Sequence, residues 1–369
     1  MPAEFLPRQP EPRRILLDYP HREAGHCGSG ALRDLLEWAG LGWEEVPSEG
    51  LVFGMGGGLG FTYLRVPGLA PRIYLVGRSS DLEVDLLSRL GAEVDVRGTD
   101  DPVAGWGWVR RELQQGRPVL MWADIAELPY LNVRLQMSRH DIVVIGYDDR
   151  TETAFVVDND RAEVQEVPYE ALARARASRS FPVPTRHTTY FVHWPQNLPD
   201  LRPTAASALA ASVDNMQAAV TAIIPDTSAL PPDAVAAAGI SGVAVFAKDV
   251  DRWPGLMPEA QLDVALRSLH AFVEKAGTGG GLFRRLQAQF CADVARLTES
   301  AEMAKAGAAL LRCADTWSAL AAAGRSDGAT FDRWRRVNEL AATLPSDEDH
   351  AISQMRKAAG ELSGMGDQS

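Results

Sequence analysis

Cysteine is scarce, long apolar runs are missing, and positive charge is in deficit. The cysteines are three, Cys27, Cys291 and Cys313. An odd, sparse set argues against a disulfide framework and for a reducing compartment. No uninterrupted apolar stretch approaches the ~18 residues of a membrane-crossing helix. The opening MPAEFLPRQPEPRRILL lacks an apolar segment of signal-peptide length, so a cytoplasmic, membrane-free chain is expected. Lys+Arg is 37 against Asp+Glu 49, a formal net charge of −12, and no run of Lys or Arg offsets it. Nucleic acid and anionic lipid are therefore disfavoured partners. No internal repeat or long low-complexity tract stands out.

What is present is 369 residues, enough for about two domains at ~150 residues each. The first 200 residues mix strands and helices. RIYLVG (72–77), AEVDVRG (92–98), PVLMWAD (118–124), DIVVIGYDD (141–149) and TAFVVDND (153–160) read as strands. Residues 31–40, 82–91 and 104–116 read as helices, each closed by glycine. The three-proline stretch 193–203 reads as a linker. Beyond it, segments near 204–224, 258–276, 282–297, 299–323, 329–343 and 348–363 are alanine-rich and helical in spacing. One β-like run, SGVAVFAKDV (241–250), interrupts them. The expectation is an α+β domain over 1–200 and a mostly helical domain over 201–369.

The chemistry concentrates around Cys27. It lies in a glycine-rich turn before ALRDLLEWAG, whose Leu32, Leu35, Leu36 and Ala39 mark a buried helical face. That puts the thiol at a helix N-terminus, where N–H groups and the helix dipole favour a thiolate. A nucleophilic thiol needs a base, and the base an orienter. His140 opens one strand and Asp158 ends the next. A three-residue turn centred on Asp149 sets them directly opposite across an antiparallel ladder. A slip of two residues substitutes Asp160 as orienter. The Cys27 N–H supplies one oxyanion donor, and the His21 side chain is the candidate for a second. His26 lines the site or flanks the turn.

These residues, in this order, resemble papain-like cysteine peptidases of the bacteriocin-processing, double-glycine type, which carry Gln where this chain has His21. HCGSGALRDLLEWAG, VFGMGGGLGFTYLR (52–65), ADIAELPY before SRHDIVVIGYDD, and GTGGGLFRRLQAQF (277–290) together are similar to the butirosin-biosynthesis protein H family. The resemblance implies a papain-like catalytic domain followed by a helical domain that covers the cleft or docks a partner. It implies N-acyl transfer from an acyl carrier protein thioester, through an acyl-Cys intermediate, to a small-molecule amine. No bound cofactor is expected, the phosphopantetheine being presented by the carrier.

Other readings stand beside these. His21, His26 and Cys27 are candidate metal ligands, though without a fourth partner at regular spacing. Phe53–Phe61 is glycine-rich but lacks the Gly-Lys-Ser/Thr ending of a phosphate loop, and reads as a flexible loop with close backbone packing. Arg284 and Arg285, at a helix start after GTGGG, offer a contact for the phosphopantetheine phosphate, or else simply pack the turn. The same Cys-His-Asp set also suits a peptidase, amidase or thioesterase. A carrier-binding scaffold without catalysis is the alternative of another class. The oligomeric state is not encoded in any motif.

Overall fold

The computed structural model describes residues 13–134, 136–218 and 230–364. In chain order its main elements begin with β1 (Arg14–Leu16), α1 (Cys27–Trp38), α2 (Glu49–Met55), β2 (Leu59–Arg65), β3 (Ile73–Arg78) and α3 (Leu82–Arg89). They continue with β4 (Glu93–Arg97), α4 (Pro102–Gln114), β5 (Val119–Ala123), β6 (His140–Asp148), β7 (Thr153–Val157), β8 (Gln165–Pro168), α5 (Tyr169–Arg176) and β9 (Thr189–His193). After these come α6 (Leu201–Gln217), β10 (Val235–Ala238), α7 (Gly239–Leu256), α8 (Glu259–His270), α9 (Arg284–Thr298), α10 (Ala301–Arg325), α11 (Thr330–Ala341) and α12 (Leu344–Leu362). The class is α+β, as expected.

Local chemistry explains the boundaries. Asp101 caps α4 by accepting from the N–H groups of Val103 and Ala104, with Pro102 in the first turn. Gly40, Gly91 and Gly116 follow α1, α3 and α4 with φ of 70°, 77° and 76°, the left-handed conformation that ends a helix.

Contacts divide the chain into two compact units, and not at residue 200. Among the described residues, one holds 13–23 together with those of Asp95–Phe191; the other holds Ala24–Val94 and those of 192–364. The reason is packing distant in sequence. Gly50 and Gly54 of α2 bring its backbone against Gln289 and Phe290 of α9, where any side chain would collide. So α1 and α2 belong with the C-terminal helices.

The first unit is built on a sheet ordered β4-β9-β5-β6-β7-β8, antiparallel from β9 through β8, with β1 also antiparallel on β6. Val119, Met121, Ile142, Val144, Ala154 and Val156 alternate toward one face and meet Val109 and Leu113 of α4 and Leu172 of α5. The β6–β7 register differs from the expected one. Asp148 pairs with Thr153 around a four-residue turn, and a bulge between Val144 and Gly146 shifts the ladder to Val144↔Val156 and Val143↔Val157. Gly146 lies so close to the Ile15 carbonyl that a Cβ would sit 2.2 Å from it, so β1 sits against a residue without a side chain.

The second unit packs α1–α3 and α6–α12 around a three-stranded sheet, β10-β2-β3. Two expectations fail here. The run 241–250 is helical, within α7, because Val243, Phe246, Val250 and Trp253 fall on one buried stripe; packing overrides the β propensity of its valines. The stretch 53–61 is not a flexible loop. It is the end of α2, a tight turn with Gly57 at φ 64°, and the start of β2, all buried.

Candidate active site

Cys27 is the first residue of α1, half-buried and unbridged. His26 is the N-cap, its Nδ1 accepting the Ser29 N–H at 3.2 Å. A carboxylate completes the cap: Glu49 accepts from the Gly25 and His26 N–H groups at 2.9 and 2.8 Å and from the Ser29 hydroxyl at 3.1 Å. The His26 ring is buried, edge-on to Phe53 and Phe283. His26 is thus the cap of the helix that Cys27 opens. Glu49 was not legible beforehand, since a lone glutamate after a serine reads as an ordinary helix start.

In the other unit, His140 Nε2 is 2.8 Å from Asp158 Oδ2. The Asp158 side chain is fully buried and that of His140 nearly so. The pair expected from the sequence forms, but not by the expected route. With the register shifted, His140 and Asp158 are not opposite partners; Asp158 lies one residue past the end of β7 and reaches His140 diagonally. Asp160, the alternative, is exposed and paired with Arg161.

Tyr130 also donates its hydroxyl to Asp158 Oδ2, at 2.6 Å. Burial alone would raise the Asp158 pKa. The charge and hydrogen bond of His140, with the Tyr130 bond, outweigh it and hold the carboxyl below its usual value. Burial beside that carboxylate pushes the Tyr130 phenol well up, so it remains a donor. Tyr130 is itself held by Arg161, which donates to its backbone carbonyl at 2.9 Å. No spacing rule linked Tyr130 to Asp158, because the contact runs between a loop and a strand end.

His21 is occupied elsewhere. Its Nε2 donates to the Arg161 carbonyl at 2.7 Å, on the turn that follows Asp158. It braces the turn after Asp158, so the proton expected to serve an oxyanion is engaged there. His21 and the His26–Cys27 pair fall in different units. Among the described residues no cluster of three His, Cys, Asp or Glu side chains could hold a metal.

The arginine pair separates. Arg284 is completely buried, bonded through Nε to Glu348 at 2.8 Å and through Nη1 to the carbonyl of Leu282 at 2.7 Å. It has no surface to offer a phosphate, so the expected phosphopantetheine contact does not fall on Arg284. Arg285 is partly exposed and paired with Asp315 and Ser318.

No described helix is long and apolar enough to cross a membrane. No curated protein matches the chain. Two family models do. Residues 170–355 match a domain of unknown function (DUF4872), and residues 26–159, which carry Cys27, His140 and Asp158, match the N-terminal domain of butirosin biosynthesis protein H. By these two matches the chain belongs to the proteins that join a butirosin biosynthesis protein H N-terminal domain to a DUF4872 domain.

Proposed function

We propose that the protein is a cysteine-dependent N-acyltransferase, taking an acyl group from a carrier-protein thioester and delivering it to a small-molecule amine. The observation that carries this reading is the buried Asp158 bonded to both His140 and Tyr130. A fully buried carboxylate that holds a less buried imidazole orients a base. Cys27, at the first position of a tightly capped helix, supplies the matching nucleophile.

The reaction has two halves. The Cys27 thiolate attacks the thioester carbonyl; the new C–S bond forms as the bond to the carrier's pantetheine sulfur breaks. The departing thiolate takes a proton from the His140 imidazolium. The amine then attacks the acyl-Cys27 carbonyl and gives its proton to His140. The C–S bond to Cys27 breaks, leaving an amide and restoring the thiolate–imidazolium pair. Asp158 stabilises the imidazolium at both stages. The Cys27 N–H, in the first turn of α1, is the oxyanion donor of this scheme. The thioester carries the activation, so no nucleotide is consumed.

The test is intact mass spectrometry with acyl-loaded carrier proteins or short thioester mimics, without amine. A mass gain present in the wild type and absent in Cys27→Ala supports the reading. Free acid with no adduct points to a thioesterase or amidase using the same residues. No adduct and no turnover across a broad panel overturns acyl transfer in favour of a peptidase or a carrier-binding scaffold.

A further inference from the structure

Five consecutive residues, Gly279, Gly280, Gly281, Leu282 and Phe283, have φ of 61°, 88°, 56°, 52° and 69°. This is a left-handed turn feeding α9. Glycine adopts that conformation freely, whereas for a bulky side chain it costs roughly 1–2 kcal/mol per residue. Leu282 and Phe283 are both bulky and buried, so the surrounding packing holds them there.

The turn lies against the residues that precede Cys27. The Gly279 N–H donates to the Gly25 carbonyl at 3.2 Å. The backbones approach so closely that a Cβ on Gly25 would lie 2.6 Å from the Gly279 Cα. Phe283 stacks on Phe53, with ring centroids 5.6 Å apart, and meets the His26 ring edge-on at 5.4 Å. The peptide before the nucleophile is thus gripped from both sides, by Glu49 on its N–H groups and by Gly279 on its carbonyl. The turn is anchored from behind in turn: Arg284 donates to the Leu282 carbonyl, and the Leu282 N–H donates to the Val273 carbonyl at 3.0 Å.

We infer that this left-handed turn positions the Cys27 thiol. It is the DUF4872 segment's contribution to catalysis, with Phe283 fixing the His26 cap and Gly279 fixing the Gly25 peptide. This rests on Cys27 being the nucleophile. With the Phe283 ring removed, His26 is free to rotate off the Ser29 N–H. The first turn of α1 then frays, and the thiol loses its fixed place at the helix N-terminus. The glycines are required because no other residue lets the two backbones touch.

The test uses the full-length protein and reads Cys27 alkylation by iodoacetamide, by peptide mass mapping, across the pH range in which each variant stays folded. Phe283→Ala and Gly25→Ala are expected to slow alkylation at neutral pH by about fivefold, the value of a lost cap and its helix-terminus geometry, and to move its midpoint to higher pH. Phe283→Gly relieves the backbone but also lacks the ring, and is expected to behave like Phe283→Ala; a wild-type profile in it overturns the role given to the ring. Gly324→Ala, whose Cβ would lie 2.4 Å from the Leu266 carbonyl, tests simple loss of stability elsewhere in the unit. It is expected to lower the melting temperature with the alkylation profile unchanged. If Phe283→Ala does not fold, Phe283→Leu replaces it. Wild-type profiles in Phe283→Ala or Phe283→Leu and in Gly25→Ala, with only a lower melting temperature, overturn the inference. The readout contains no acyl donor. A wild type that alkylates as expected but accepts no acyl group defeats the acyl-transfer reading alone.

Discussion

Arg284→Ala is expected to unfold the second unit at a much lower temperature, not to weaken carrier binding. Arg284 and Glu348 are both fully buried. Besides the ion pair, the guanidinium donates to the carbonyls of Leu282, Gly60 and Gly77 at 2.7, 3.2 and 3.4 Å. Glu348 Oε1 also accepts from the Trp317 indole at 2.8 Å. Truncating the arginine leaves a carboxylate in the core with a single strong donor, and strands carbonyls that no water reaches. Breaking a buried pair from one side costs about 3–5 kcal/mol. At ~2–4 °C per kcal/mol for a unit of this size, the midpoint falls by roughly 6–20 °C. The assay is calorimetry or chemical denaturation of wild type, Arg284→Ala and the double variant Arg284→Met/Glu348→Leu. The double variant removes both charges and is expected to recover at least about half of the loss. An Arg284→Ala protein that melts like wild type but needs more carrier protein for half-maximal rate contradicts this buried role, because it requires an arginine that reaches solvent.

Three further outcomes follow from the same geometry. Tyr130→Phe removes one donor from Asp158, so the carboxyl pKa rises; the acid limb of the kcat/KM profile is expected to move to higher pH, with a rate loss of about fivefold, and an unchanged profile excludes Tyr130 from orienting the pair. His187 is buried against Gly105; burial, with the neighbouring Arg176 charge, lowers its pKa to about 4 against the opposing Asp100 and Asp101. A folded value below the unfolded ~6.5 means stability is complete above that pH and is lost as pH falls toward about 4, by up to about 3 kcal/mol; denaturant titrations should show this slope, and His187→Asn, which tolerates the φ of 49°, should flatten it. Iodoacetamide should modify Cys27 before Cys291 and Cys313, which are buried and whose thiol pKa values burial pushes up; equal labelling of all three in the folded protein contradicts the placement.

Much of the site was legible because its signals are local. A glycine-rich turn before an amphipathic stripe marks a helix start, and Cys27 occupies the first position of α1. His140 and Asp158 were identifiable as strand-end residues, and they do bond. The ladder that brings them together is not the one their spacing predicts. The turn has four residues, the ladder carries a bulge, and the contact is diagonal. Bulges depend on what lies against the strand, here β1 beside Gly146, and alternation along one strand does not reveal that.

The amino-acid sequence alone determined most of the element types, the α+β class, and Cys27, His140 and Asp158 as the candidate site residues, all through short-range patterns of apolar spacing, caps and strand ends. Tertiary structure alone decided which elements belong together. It joined α1 and α2 to the C-terminal helices, because glycines let α2 approach α9. It turned Arg284 inward onto Glu348, since an arginine at a helix start reads the same whether a carboxylate or solvent faces it. It also set Tyr130 on Asp158 and Phe283 on His26, contacts between residues 28 and 257 positions apart that no local pattern encodes.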